Sequence, residues 1–129
     1  MLLFFLQLLQ ILKLKRKIKK KNYINLNLEK NNDILNYVSN HNSLRPKLVI
    51  GFAAETNNIE ENSRKKLMEK NCDWIIANDI SNKSIGFDSD FNEVTILYKN
   101  KKINDEKLYM KKKSEIANEI IDRVVGQLN

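Results

Sequence analysis

The segment Leu48-Val49-Ile50-Gly51-Phe52-Ala53-Ala54-Glu55-Thr56-Asn57-Asn58 decides the fold class of this chain. Its first half is a continuous apolar run, which is typical of a parallel strand covered on both faces. A turn of small residues follows, and the helix predicted after it carries Lys66 and Lys70. Because a helix N-terminus offers unpaired N–H groups and a positive dipole end, this strand–turn–helix order predicts a site for a phosphorylated or carboxylated ligand.

The residues that follow predict one strand–helix–strand unit. The helix is predicted from Ile59 to about Asn71, with Asn58 as candidate N-cap and Glu61 completing an approximate capping box. A second apolar strand then runs from Asp73 to Asn78. Two such strands joined by a helix should lie parallel, and their crossover should be right-handed.

Weaker patterns extend this unit towards the N-terminus. Period-two alternation predicts a strand at Ile24–Leu28. Asn31, Asn32 and Asp33 then supply cap-type residues for a short helix that starts at Ile34.

Three further elements are predicted after the unit. Glu93 to Tyr98 predicts an antiparallel strand whose partner returns through Lys102 and Ile103, and an amphipathic helix begins near Ser114. The predicted fold is therefore the C-terminal portion of a Rossmann-like, three-layer α/β domain. It has a parallel strand–helix–strand core, an antiparallel extension and a C-terminal helix.

The composition of the chain is that of one folded domain. It has 129 residues, of which 42% are hydrophobic and 30% charged. Cys72 is the only cysteine, so an internal disulfide is excluded and a reducing cytoplasm fits. His41 is the only histidine and lies in a predicted loop, where a solvated side chain is the usual outcome.

The net charge of +7 comes from one short block near the N-terminus. The block contains Lys13, Lys15, Arg16, Lys17, Lys19, Lys20 and Lys21, without an acidic residue between them. The other 16 basic residues balance the 16 acidic ones. Proteins that follow a nucleic-acid backbone usually spread their cations over a face with aromatic residues between them, so we expect no nucleic-acid partner.

The first residues, Met1 to Leu12, are strongly apolar. A membrane-spanning helix needs about 20 apolar residues, and a secretory signal carries its positive charges before the apolar segment. A peripheral anchor, with the lysines on anionic headgroups, remains as the alternative. It would make the chain a non-catalytic membrane-surface or interaction protein, whereas we expect a cytoplasmic protein without membrane contact.

Four motifs give a more specific indication. They are Lys17-Ile18-Lys19-Lys20, the G-F-A-A-E-T-x-N run from Gly51, Ala77-Asn78-Asp79-Ile80-Ser81 and Gly86 to Val94. In this order they resemble phosphopantothenate-cysteine ligase, the C-terminal half of the bifunctional bacterial coenzyme A biosynthesis flavoprotein. The resemblance runs from about Lys15 to Leu128, so residues 15–129 are expected to be the C-terminal part of the ligase domain. Residues 1–14 then form a separate apolar segment.

The resemblance implies that CTP activates the carboxylate of 4'-phosphopantothenate as an acyl-cytidylate, which cysteine then attacks. It also implies Mg²⁺ and no flavin in this chain. Fixed ammonium groups suit the negative charge that develops on phosphate oxygens. The resemblance assigns conversion of the acyl-cytidylate to Lys17 and contacts with CTP to Phe52, Lys66 and Lys70.

The same resemblance places Asn32, Asp33, Ile34 and Leu35 on the family element that contacts the cytosine end. Asn32 replaces the proline of that element, which loosens the start of the helix because proline there is preorganised.

Each assignment has a plainer alternative. Lys17 can belong to a solvated cationic tract, and Phe52 can be a core aromatic. Lys66 and Lys70 lie four residues apart, where like charges repel unless an anion lies between them. They can also belong to an exposed charged face with Lys65 and Glu69.

The glycine-rich first half of the resembling domain has no counterpart in this sequence. We therefore expect an incomplete fragment that is inactive alone and that forms a homodimer or pairs with a separately encoded N-terminal half. Leu6 to Leu12 stands where the family has the core strand Ala-Ala-Val-Ala-Asp-Phe, which suitable codons would encode after a shift of two nucleotides. We hypothesise that residues 1–14 are out of frame or a displaced core strand, and the gene sequence upstream of Met1 tests this.

Overall fold

The computed structural model describes residues 29–81 and 89–129. Their elements, in chain order, are α1 (Ile34–Ser39), β1 (Ile50–Glu55), α2 (Ile59–Glu69), β2 (Trp74–Asp79), β3 (Phe91–Tyr98), β4 (Glu106–Lys112) and α3 (Lys113–Leu128). The strand predicted at Ile24–Leu28 and the apolar segment 1–14 lie outside the described residues.

The four strands form one mixed sheet in the order β1-β2-β3-β4. Strands β1 and β2 are parallel, with Gly51 opposite Ile75, while β2–β3 and β3–β4 are antiparallel. A register irregularity between Asn92 and Val94 interrupts the β3–β4 ladder. The predicted parallel core with an antiparallel extension is confirmed.

Helices cover both faces of the sheet. On one face, α2 packs on a cluster made of Val49, Ala53, Leu67, Cys72, Ile75, Ala77 and Leu97, which Leu35 of α1 also contacts. On the other face, α3 contributes Ile116, Ile120 and Val124 to a second cluster. Its other members are Leu48, Trp74, Ile76, Val94, Ile96, Tyr98 and Leu108. The prediction of three layers is therefore confirmed as well.

Two local predictions were wrong. The return strand begins at Glu106 and not at Lys102 and Ile103, because these residues form a turn in which Ile103 N donates to Asn100 O and Ile103 packs against the α3-side cluster. Asn58 does precede α2, but it adopts the left-handed conformation (φ 43°, ψ 43°) and its side chain makes no cap hydrogen bond. The predicted capping box with Glu61 does not form.

The network around Arg123 joins α3 to the outer strands. Arg123 Nε donates to Glu106 Oε2 at 2.9 Å, and the Tyr98 hydroxyl donates to Glu106 Oε1 at 2.6 Å. The Arg123 guanidinium and the Tyr98 hydroxyl lower the pKa of Glu106, while burial and the neighbouring carboxylate raise the pKa of Tyr98. The shared carboxylate therefore fixes the position of α3 over β3 and β4.

Gly51 of β1 lies against the side chains of Leu35 and Ile75, and its replacement by Ala should destabilise the fold. A Cβ atom there would lie 2.6 Å from Ile75 Cδ1 and 3.0 Å from Leu35 Cδ2. Ile75 is buried, so it has little room to retreat. Because overpacking forces side chains off their preferred rotamers, Gly51→Ala should lower the free energy of unfolding by about 1 to 3 kcal/mol. Urea denaturation followed by circular dichroism measures this.

Gly126 provides the matched control for this substitution. It lies in α3, and a Cβ atom there would meet no atom within 4 Å. Since Ala has the higher helix propensity, Gly126→Ala should raise the free energy of unfolding by about 1 kcal/mol. The same sign of effect at both glycines would contradict the close packing described for Gly51.

Within residues 29–81 and 89–129, none of the helices has the length and apolar character that crossing a bilayer requires.

Candidate functional site

Lys66, in the last turn of α2, and Lys70, its C-cap residue, lie one turn apart, and each is paired with a carboxylate. Lys66 Nζ lies 2.6 Å from Glu55 Oε1, at the end of β1. Lys70 Nζ pairs with Asp33 Oδ2, at the start of α1. The protein itself therefore supplies the anions that relieve the repulsion expected between these lysines.

Asp33 has two roles in this arrangement. Its Oδ1 accepts a hydrogen bond of 2.9 Å from Asn36 N and so caps α1, while its Oδ2 holds Lys70. The Lys70 ammonium, followed by the cap bond, lowers the pKa of Asp33, and the carboxylate in turn raises the pKa of Lys70. One side chain thus joins the start of α1 to the end of α2.

The other residues assigned to the cytosine end divide into two groups. Asn32 and Ile34 are exposed, so their side chains are available to a ligand. Leu35 is partly buried, because it packs against the α2-side cluster and next to Gly51, so it also fixes the position of α1.

Phe52 lies on the other face of the sheet from the two lysines. Successive residues of a strand point to opposite faces, and Ala53 belongs to the α2-side cluster, so Phe52 points to the α3 side. Its side chain is 51% exposed, so the core-aromatic alternative does not describe it. A single ligand that contacts Phe52 and Lys66 would have to pass around β1.

The ends of β1 and β2 are joined at the same edge of the sheet. Ile80 N donates to Glu55 O at 2.9 Å. Asp79 Oδ1 accepts hydrogen bonds from the Ser81 hydroxyl and the Ser81 N–H, at 2.6 and 2.8 Å, and these bonds lower the pKa of Asp79. The buried Asn78 Oδ1 finds no hydrogen-bond partner in the part of the chain that the structure describes. Ligands of α/β sheets usually bind at this edge, beyond the carboxyl ends of parallel strands.

Sequence reasoning missed the ion pair that Glu55 forms with Lys66. Glu55 stands inside the G-F-A-A-E-T run, but no role was assigned to it. The available signal was a single acidic residue in a turn of small residues after an apolar strand. Its pairing with a lysine eleven positions later becomes visible only when α2 is placed on the sheet.

Two parts of the predicted site lie outside the described residues. Lys17 is one, and residues 86–88 of the Gly86–Val94 motif are the other. Across 29–81 and 89–129, no three or more His, Cys, Asp or Glu side chains come together as a metal site would require. The described residues therefore do not fit a Mg²⁺ site made by the protein alone.

Comparison with known proteins identifies the family. Residues 11–128 match the family model described as the DNA/pantothenate metabolism flavoprotein C-terminal domain. The coenzyme A biosynthesis bifunctional protein CoaBC of Escherichia coli strain K12 is 35% identical over 113 residues, which are 88% of this chain and 27% of that protein. The CoaBC protein of Haemophilus influenzae is 37% identical over 111 residues, covering 85% of this chain and 26% of the relative.

A solved structure agrees with this result. The crystal structure of the C-terminal domain of CoaBC superposes with a TM-score of 0.60 at 36% identity, covering 79% of this chain and 44% of that domain. The chain thus spans about a quarter of the curated relatives and less than half of the solved domain. It belongs to the family of the DNA/pantothenate metabolism flavoprotein C-terminal domain.

Proposed function

We propose that this chain contributes the nucleotide-binding lysines of a CTP-dependent ligase that joins cysteine to 4'-phosphopantothenate in coenzyme A biosynthesis. The observation that carries the proposal is a pair of lysines one turn apart at the C-terminal end of α2. Lys66 lies in the last turn and binds Glu55 at the carboxyl end of β1, and Lys70 is the C-cap residue that binds Asp33. Membership of a family whose relatives are named for coenzyme A biosynthesis supports it.

The two lysines would bind the triphosphate of CTP. Each ammonium has three N–H donors and gives one to its carboxylate, so donors remain for phosphate oxygens. Mg²⁺, when it accompanies the triphosphate, supplies further neutralisation of charge. Asn32 and Ile34 would face the cytosine end, with Asp33 and Leu35 fixing the start of α1 beneath it.

The proposal also includes Lys17, which lies outside the described residues. Lys17 is proposed to assist conversion of the acyl-cytidylate. We also propose that the chain acts in the cytoplasm as a homodimer or with a separately encoded N-terminal half. The membrane-surface alternative depends on residues 1–21, which also lie outside the described ranges.

Substitution of each lysine by Met tests this proposal. Removing a charged hydrogen-bond donor should weaken CTP binding by about ten- to a hundredfold for Lys66→Met and for Lys70→Met. Isothermal titration of the full chain with CTP, alone and mixed with the N-terminal half of a CoaBC relative, measures the affinity.

Lys65 provides the matched control. It lies on the same helix and pairs with Glu69 at 3.8 Å, but its side chain is 73% exposed. Lys65→Met removes the same charge and should change the CTP affinity less than about twofold, as expected for an exposed ion pair. Equal losses of CTP affinity in Lys65→Met and Lys66→Met would show that the net positive charge matters and the position of the lysine does not. A full chain that binds CTP in neither condition would overturn the proposal.

A further inference from the structure

Glu55 is held more rigidly than an ordinary surface carboxylate. It is the last residue of β1, where it pairs in register with Asp79 of β2. Its carbonyl accepts a hydrogen bond of 2.9 Å from Ile80 N, so the last peptide of β1 is held by the residue that follows β2. A group on a sheet strand is positioned more exactly than one on a loop.

The ion pair that Glu55 makes is asymmetric in exposure. The Glu55 side chain is 11% exposed, whereas that of Lys66 is 45% exposed, with 2.6 Å between Oε1 and Nζ. The carboxylate is therefore the fixed partner, and the ammonium lies over it towards solvent. A pair between two exposed side chains, such as Lys65–Glu69, has no such fixed partner.

The ammonium of a lysine stands on a flexible stem of four carbon atoms, so the side chain loses rotamer entropy when it must hold one position. If the protein fixes the ammonium before the ligand arrives, binding does not have to order it. Lys66 Nζ would still have two N–H donors for phosphate oxygens after giving one to Glu55.

We propose that Glu55 is a positioning residue, which holds the Lys66 ammonium ready for the polyphosphate of the nucleotide. This inference rests on the proposed function. It distinguishes Glu55 from Asp33, whose carboxylate also caps α1 and whose loss would therefore disturb a helix as well as a lysine.

The first test does not require a nucleotide. In a full chain with ¹⁵N-labelled lysines, the ammonium signal of Lys66, assigned with Lys66→Arg, should be slow in hydrogen exchange. Glu55→Gln should abolish that protection and leave the Lys70 signal and the backbone amide spectrum unchanged. Glu55→Asp keeps the charge on a shorter side chain and should restore part of the protection. Glu69→Gln, the matched control on α2, should not affect Lys66.

The second test uses inorganic tripolyphosphate and CTP as probes. Since a fixed charged donor is worth about a tenfold change in affinity, Glu55→Gln should weaken binding of both probes three- to tenfold and leave cytidine binding unchanged. The double variant Glu55→Gln/Lys66→Met should bind no more weakly than Lys66→Met alone, because the two residues act as one unit.

Two results would overturn the inference. One is unchanged exchange of the Lys66 ammonium in Glu55→Gln, and the other is tighter binding of tripolyphosphate, which would make Glu55 a competitor of the phosphate. If the proposed function is wrong, the expected results differ from both of these. In that case CTP would bind no better than tripolyphosphate or not at all, while the exchange of Lys66 would still depend on Glu55.

Discussion

Replacing Ile120 with Ala is expected to lower the free energy of unfolding by about 2 to 5 kcal/mol. Ile120 is 6% exposed and lies between Ile116 and Val124 in the buried stripe of α3. It packs on the cluster that includes Ile96, in the centre of the sheet. A domain of this size is stable by about 5 to 15 kcal/mol, so this one cavity would remove a large share of the total. Urea denaturation of the full chain measures the change.

Ile121 is the control for this prediction. It is the next residue of α3 and has the same side chain, but it is 38% exposed. Ile121→Ala should cost less than about 1 kcal/mol, because little apolar surface returns to water. A negligible loss in Ile120→Ala would show that α3 is not docked on the sheet.

Replacing Arg45 with Met is expected to lower the free energy of unfolding by about 2 to 3 kcal/mol, because Met cannot form the charge-assisted hydrogen bonds of the guanidinium. Arg45 Nε donates to Ser39 O at 2.8 Å, and its Nη2 donates to Asn71 O at 3.1 Å. Nη2 also forms a salt bridge of 3.0 Å with Asp73. The guanidinium thus joins the end of α1 to the turn between α2 and β2, and thermal unfolding followed by circular dichroism should show the loss.

The same variant should also affect the candidate site. When the end of α1 is released, the Asp33–Lys70 pair at its start becomes less constrained, so CTP affinity should fall with stability. Lys47→Met removes an exposed positive charge from the same segment and should change neither property by much. A fully stable Arg45→Met variant would mean that Ser39, Asn71 and Asp73 find other partners.

The sheet could be predicted because its signals are local. The apolar runs of β1 and β2 are typical of buried parallel strands, and the period of α3 marks its buried stripe. The bounds of β1 and β2 were shifted by one or two residues, which is normal where a strand ends without a Gly or Pro. The return strand was placed too early because Ile103, an apolar residue in a turn, packs on the core without belonging to a strand.

The candidate site was harder to predict from the sequence because the residues in contact lie far apart along the chain. Asp33 and Lys70 are 37 positions apart, and Glu55 and Lys66 belong to a strand and a helix, so no pattern within a short window relates them. The helix spacing of Lys66 and Lys70 indicates that anions should lie near them. It could not indicate that carboxylates of this chain already provide one. Phe52 joined the same prediction by resemblance, although strand alternation places it on the other face of the sheet.

The position of Trp74 has an experimental consequence. It is the only tryptophan of the chain, it is 4% exposed, and its ring meets that of Tyr98 edge to face with centroids 5.2 Å apart. The single indole therefore emits from the apolar interior between the sheet and α3. Unfolding brings it into water and shifts its emission to longer wavelength, so the wavelength of tryptophan fluorescence reports whether the α3 layer is in place.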